Sequence, residues 1–432
     1  MRGPAAIISL LSLDGRGAAK GDGAGDGLAL PAGSAAKRMA QIHTQGSIFA
    51  KTTLPVGPAF ISKEIRMTST DALFKPFSLG SLQLPNRIVM APMTRSKSPD
   101  GIPGQPVVDY YRRRAENAVG LIITEGTTVD RPGASFDAAI PNFHNRESLA
   151  GWKTVVDAVH AAGGKIAPQL WHVGLARKPG TGPHPDAKSD SPSGIMPGGK
   201  AVGEAMSAED IADTIAAFAK AARAAAELGF DAIELHGAHG YLLDQFFWDG
   251  MNQRDDRFGG GLVERTTIVR EIVKAVRAEI PADLPLILRY SQWKQQDYNA
   301  RLAETPDALA AFLGPLSDAG VDIFHASTRR FWIPEFEGSD LNLAGWTQKL
   351  TGKPAITVGS VGLNSDFIGA FMGENSPASS LDGLLERMER GEFDLVAVGR
   401  ALISDPEWAV KVRDGRFDEL ADFNAETLKE LV

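Results

Sequence analysis

Residues 231–246 read DAIELHGAHGYLLDQF. The stretch opens on a short, continuous apolar run, Asp231–Leu235, of the kind expected for a strand buried on both faces. Three polar rings follow within six residues, His236, His239 and Tyr241, and then an apolar helical pattern. A buried strand that delivers polar side chains straight into a loop is the signature of a parallel α/β sheet, whose chemistry gathers at the carboxyl ends of its strands.

The same unit recurs on either side. Strand-like runs occur at Arg87–Ala91, Gly120–Thr124, Lys165–Leu170, Asp231–Leu235, Leu286–Tyr290, Val321–His325, Ala355–Val358 and Asp394–Val398. Helical patterns lie between them, among them Ser148–Ala162, Ser207–Leu228, Val263–Ala278, Pro306–Ala319 and Leu381–Arg390. Eight strand–helix units in one chain predict a single (β/α)8 barrel rather than an open doubly wound sheet, which would carry fewer strands and a Gly-rich first turn. The longest insertion, Trp171–Met206, follows the third strand and is rich in Pro, Gly and Ser, so it reads as a lid-like loop.

Residues 1–66 differ from this pattern. They carry a Gly/Ala/Asp tract and no sustained period, which predicts a disordered extension ahead of a barrel spanning 67–432, with Met67 as the start of organised sequence. Arg2 precedes an apolar stretch, Ala5–Leu13, but Asp14–Arg16 follows at once without a cleavage site, so the expected location is cytoplasmic. The net charge of −8 and scattered Lys and Arg argue against a nucleic-acid partner. No apolar run is long enough to suggest a membrane span. The chain has no cysteine, which excludes thiolate catalysis, Cys-bound zinc and iron–sulfur clusters.

The expected strand ends collect an unusual set of side chains. Thr94 follows strand one, Glu125 and Gly126 strand two, and Gln169 and Trp171 sit at strand three. Arg289 ends strand five and His325 strand six. Gly359-Ser360 and Gly399-Arg400 follow strands seven and eight, where such barrels commonly bind phosphate: glycine admits backbone N–H groups to an anion and arginine grips its oxygens. A buried Arg289 demands an anionic or electron-rich partner, supplied either by a bound group or by a neighbouring acid. His236 and His239 admit two readings. With Asp244 or His325 they could ligate a metal, as in a barrel hydrolase; as hydrogen-bond donors they could polarise a substrate oxygen beside the Tyr241 phenol.

Taken in order, LFKPFSLGSLQLPNRIVMAPMTR, LIITEGT, PQLWHVG, DAIELHGAHGYLLDQF, NQRDDRFGG, LILRYS, ITVGSVG and LVAVGRALISDPEW resemble the old yellow enzyme family of NAD(P)H:flavin oxidoreductases from about Leu73 to Leu402. The resemblance implies non-covalent FMN, with NADH or NADPH as reductant and small activated alkenes as substrates, in a monomer or homodimer. It implies that Pro92, Met93, Thr94 and Gly126 line the flavin, that Gln169 and Arg289 hold its pyrimidine edge, and that Gly359, Ser360, Gly399 and Arg400 hold its phosphate. It further implies that His236 and His239 bind the activating oxygen of the substrate, that Tyr241 protonates the substrate, and that Trp171 shapes the pocket. Thr94 stands where one branch of the family has Cys, which points to the Thr-type branch with a His/His substrate pair. The remaining reading is a flavin-binding protein without reductase activity.

Two stretches fall outside the family pattern, Tyr290–Arg301 and Thr328–Asp340. The second follows strand six, so Trp332, with Arg330 or Phe336, is expected to shape substrate access. No aromatic tail is legible at the C-terminus.

Overall fold

The structure is a computed structural model that describes residues 69–365, 369 and 373–432. The extension 1–66 and the expected start at Met67 lie outside the described residues. Eight strands close a barrel: β1 Ile88–Met90, β2 Leu121–Thr128, β3 Lys165–Trp171, β4 Ile233–His239, β5 Leu286–Lys294, β6 Ile323–Ser327, β7 Ala355–Val358 and β8 Leu395–Val398. Every neighbouring pair is parallel, and Val396 of β8 pairs with Ile88 of β1 to complete the ring. The outer helices are α1 Gln105–Glu116, α2 Arg146–Ala161, α3 Ala208–Leu228, α4 Thr267–Glu279, α5 Pro306–Ala319, α6 Leu343–Thr351, α7 Asp382–Glu389 and α8 Trp408–Arg413.

Local sequence explains where these helices start. Ser207 caps α3: its hydroxyl accepts the Asp210 N–H at 3.1 Å while the Asp210 carboxylate accepts the Ser207 N–H at 3.0 Å. These two reciprocal bonds satisfy amides that the helix itself leaves unpaired. Thr305 caps α5 through the Ala308 N–H, with Pro306 at the first helical position.

Two apolar cores hold the barrel. One lies between strands and helices. The other fills the barrel interior with Val89, Ile123, Ala167, Ile287, Ile323, Ile356 and Ala397, and includes Phe77, Leu82 and Leu84 from a hairpin that precedes β1. The hairpin was not legible in the sequence. Its Gly80–Ser81 turn binds the Asp283 carbonyl just before β5, so it closes the amino end of the barrel. Polar chemistry is thereby left to the carboxyl end.

Several strands run further than their apolar runs suggested. β4 extends to His239 and β5 to Lys294, past the expected ends at Leu235 and Tyr290. The polar tail of β5 remains extended because each side chain finds a partner. Ser291 Oγ accepts the His239 N–H at 3.0 Å, Gln292 Nε2 donates to the Ala303 carbonyl at 2.8 Å, and Lys294 Nζ meets Asp244 Oδ1 at 2.6 Å. β6 likewise runs to Ser327, which leaves His325 inside the strand rather than at its end.

Gly126 lies within β2, not after it. A Cβ there would fall 2.3 Å from the Trp171 ring, so this glycine is the space that lets the indole lie against the sheet. Gly126→Ala should cost about 1–3 kcal/mol by overpacking. Urea denaturation checks the loss, and the intrinsic fluorescence should change with it as Trp171 is displaced.

Candidate active site

A cavity of about 230 Å³ opens at the carboxyl end of the barrel. It is lined by Pro92, Met93, Thr94, Gln169, Trp171, His236, His239, Tyr241, Arg289, Gly359, Ser360, Gly399 and Arg400. The sequence had singled out all of these. It had not singled out Trp293, Gln295, Ser327, Thr328, Phe423 and Leu428, which also line the wall. No aromatic tail was legible at the C-terminus, yet Phe423 lines the cavity from that end; Arg400 lies over its ring, 5.5 Å from the centroid.

Other expected residues do not line it. Gly126 supports Trp171 from below. Trp332 is 39% exposed and lies outside the cavity, because the segment after β6 turns away at Phe331 and seats Phe336 against Trp346. Only Thr328 and Arg329 of that segment reach the cavity. The insertion after β3 does not cover the cavity through any residue from 172 to 206. It is pinned to the outside by Arg131, which pairs with Asp190 and Asp210, and by His172, 2.9 Å from Asp190.

The residues named for the metal reading have other partners. Asp244 is taken by Lys294, and His325 Nδ1 lies 2.6 Å from Glu234 Oε2. Among the described residues no group of three His, Asp or Glu side chains is arranged to hold an ion.

Glu125 serves the cavity indirectly. Its carboxylate accepts the Arg95 and Ser96 N–H groups at 2.9 and 3.2 Å, and so fixes the chain just after Thr94. Burial pushes its pKa up to about 7.

Arg289 sits at the floor of the cavity, 7% exposed, and forms no ion pair with any described residue. Its Nη2 donates to Ser327 Oγ at 3.3 Å, while its Nε is buried without a partner. Burial lowers its pKa to about 10, a value that still leaves it charged. The nearby carboxylate of Glu234 is occupied by Gln169 Nε2 at 2.7 Å and by His325. A buried cation without a paired anion calls for an electron-rich group in the cavity.

His236 and His239 are held below the ordinary histidine pKa, first by burial and then by the Arg289 charge, so both are neutral near pH 7. Each neutral imidazole offers one N–H and one lone pair. His236 Nδ1 is buried and unpartnered. His239 is more constrained. Its backbone is left-handed at φ 65°, its Nε2 lies 2.8 Å from Ser327 Oγ, and its ring stacks on Trp293 at 4.6 Å. Tyr241 is half-buried, edge-on to Trp171 and beside His236. Burial pushes its phenol up to about 12, against the pull of a hydrogen bond from Gln295 Nε2 at 3.1 Å.

At the far strands, Ser360 is left-handed at φ 52° next to Gly359 at φ 144°. Among the described residues, the N–H groups of Gly359, Ser360 and Gly399 have no backbone acceptor. Arg400 Nη2 reaches Ser360 Oγ at 3.5 Å and also the Ser365 carbonyl. Turned-out amides beside a guanidinium form an anion cradle. The residues thus suit FMN: a polar edge can meet Gln169 and Arg289, a flat ring can lie among Pro92, Met93 and Trp171, and a phosphate can take the cradle.

The profile of the NADH:flavin oxidoreductase / NADH oxidase family matches residues 72–419. The chain belongs to this family. A rice (Oryza sativa subsp. japonica) relative, 12-oxophytodienoate reductase 7, is 33% identical over 362 residues, covering 79% of this chain and 87% of that protein. An NADH oxidase of Thermoanaerobacter brockii is 33% identical over 365 residues, covering 82% of this chain, which spans only 52% of that longer protein. Among solved structures, morphinone reductase in complex with tetrahydroNAD superposes with a TM-score of 0.69 at 28% identity, covering 82% of this chain and 93% of that one. The chain is therefore a flavin oxidoreductase of the old yellow enzyme kind, and the expected fold, family and FMN-dependent class hold. No helix among the described residues is long and apolar enough to cross a membrane.

The Lys294–Asp244 pair is fully buried on both sides, and Asp244 Oδ2 also accepts the Gly240 N–H at 2.7 Å. Asp244→Ala strands the ammonium and frees that amide, so the fold should lose about 3–5 kcal/mol. Asp244→Ala combined with Lys294→Met should recover much of it. Chemical denaturation of the three proteins tests both statements.

Proposed function

We propose that this protein reduces alkenes conjugated to a carbonyl or nitro group, using NADH or NADPH. The reading rests above all on one observation: the Arg289–Gln169 edge, the anion cradle and the His236–His239–Tyr241 cluster line one cavity. The relatives' names support it. One reduces an oxo-dienoate, and another is solved with tetrahydroNAD.

Gln169, Arg289 and Thr94 would hold the polar edge of FMN, Pro92 and Met93 its ring, and Gly359, Ser360, Gly399 and Arg400 its phosphate. Bound FMN supplies two-electron transfer from the nicotinamide to the alkene. The protein's task in the second half-reaction is electrostatic. As hydride reaches the β-carbon, negative charge moves to the activating oxygen, where the neutral imidazoles of His236 and His239 offer N–H donors. Neutral donors suit this task, because a charged imidazolium beside Arg289 would resist burial. Tyr241 gives its proton to the α-carbon. The balance is NAD(P)H, one proton and C=C going to NAD(P)⁺ and CH–CH. Phenolic acidity near 12 keeps Tyr241 protonated at neutral pH, so the acid is always loaded.

Tyr241→Phe should slow flavin reoxidation by an enone about 10²- to 10⁴-fold while leaving reduction by NAD(P)H within a few-fold. Stopped-flow measurement of the two half-reactions decides this; equal loss in both would contradict the acid assignment. Fast enone turnover failing in the native protein itself would favour a flavin-binding protein without reductase activity. Arg400→Ala removes a charge-assisted contact to phosphate and should weaken FMN binding about 10- to 100-fold. Fluorescence titration of the apoprotein with FMN, against riboflavin as the phosphate-free control, reads that loss.

A further inference from the structure

Residues 294–296 each bind the turn that carries the polar rings. Lys294 Nζ meets Asp244 Oδ1 at 2.6 Å, and Gln296 Nε2 donates to the Gly240 carbonyl at 3.1 Å. Between them, Gln295 donates its backbone N–H to the His239 carbonyl at 3.4 Å and its side-chain amide to Tyr241 Oη at 3.1 Å. Gln295 also lines the cavity.

We infer that Gln295 is a positioning residue for proton delivery: its amide N–H occupies the Tyr241 oxygen and leaves the phenolic hydrogen to the cavity. The argument is one of donor counting. A phenol has one hydrogen and can also accept. An amide N–H can only be accepted, so the contact with Gln295 does not use that hydrogen. The Tyr241 hydroxyl makes no other hydrogen bond to a described residue, and its ring is fixed edge-on by Trp171 and His236. The hydrogen therefore faces the cavity that Tyr241 lines.

The same bond serves the product of the step. When the Tyr241 O–H bond breaks and a C–H bond forms at the substrate α-carbon, negative charge is left on Oη. The Gln295 N–H is already in place to stabilise it, as a hydrogen bond to a charged acceptor, until solvent returns the proton. The inference rests on the proposed role of Tyr241 as the acid.

Three substitutions test it in the full-length FMN-loaded protein. Gln295→Met keeps the bulk and removes the donor. It should slow enone-dependent reoxidation about 10- to 100-fold, with NAD(P)H-driven reduction unchanged. Gln295→Glu replaces the donor with a carboxylate that takes the phenolic hydrogen for itself. It should be slower still at pH 8 and recover as pH falls and the carboxyl group becomes a donor. In a Tyr241→Phe background, Gln295→Met should have no further effect.

A readout independent of turnover uses tyrosine labelled with ¹³C at Cζ. The chain has five tyrosines, and loss of one signal in Tyr241→Phe assigns the resonance. Gln295→Met should move that signal and leave the other four in place. An unmoved signal, an equal loss in the Tyr241→Phe background, or a Gln295→Glu variant as fast as the native protein would overturn the role of Gln295. A slow Tyr241→Phe with a fast Gln295→Met would leave the acid standing and remove only its positioning partner. A fast Tyr241→Phe would remove the acid, and the inference with it.

Discussion

A single buried charge organises the carboxyl end of this barrel. Arg289 sits at the cavity floor without an ion pair among the described residues, and the nearest carboxylate is spent on Gln169 and His325. Holding a bare guanidinium there costs several kcal/mol unless something electron-rich joins it. The surrounding groups respond to that charge. Ser327 turns its oxygen to Arg289, and both cavity histidines are kept neutral by burial and by the repulsion they would feel if protonated. A site that is positive at its floor and neutral at its histidines suits a ligand that accumulates electrons and a substrate that develops negative charge.

That electrostatic design requires the histidines and the phenol to stay where they are, and the backbone does not favour it. His239 occupies a left-handed conformation that non-glycine residues adopt at a cost. The compensation comes from β5. Its polar continuation, Ser291 to Gln296, ties the turn down through the His239 N–H and C=O, the Gly240 carbonyl, Asp244 and Tyr241. Trp293 covers the same turn by stacking on His239. Strain at His239 is thus offset by a neighbouring strand.

The sequence was most legible where burial acts on every residue of a run. All eight strands and the five helices read from it are present, because continuous apolar stretches and 3.6-residue periodicity report directly on packing. It was least legible where polar residues hold extended backbone. The YSQWK tail of β5 has no strand-like apolar pattern, and it is extended only because Asp244, His239 and Ala303 supply partners from elsewhere in the chain. Trp332 misled for the opposite reason. An aromatic near a strand end suggests a pocket wall, but its direction is set by Phe336 seating against Trp346, a contact no local pattern encodes. Phe423 and Leu428 were invisible as wall residues because the chain after α8, which ends at Arg413, must fold back to bring them there.

These two kinds of legibility coincide with two parts of the cavity wall. Gln169 and Arg289 lie on barrel strands and Gly399 directly follows one, so the barrel itself carries them to the cavity and they could be singled out from position alone. Another part of the cavity wall lies on segments fixed by individual hydrogen bonds: the 239–241 turn, the β5 extension and the first residues after β6. Changing the barrel core would threaten the whole fold, whereas changing Trp293, Gln295 or Thr328 acts on the cavity wall and on the turn that it supports. In this chain the polar tail of β5 and the residues just after it set that part of the wall, through hydrogen bonds to Asp244, Gly240, His239 and Tyr241.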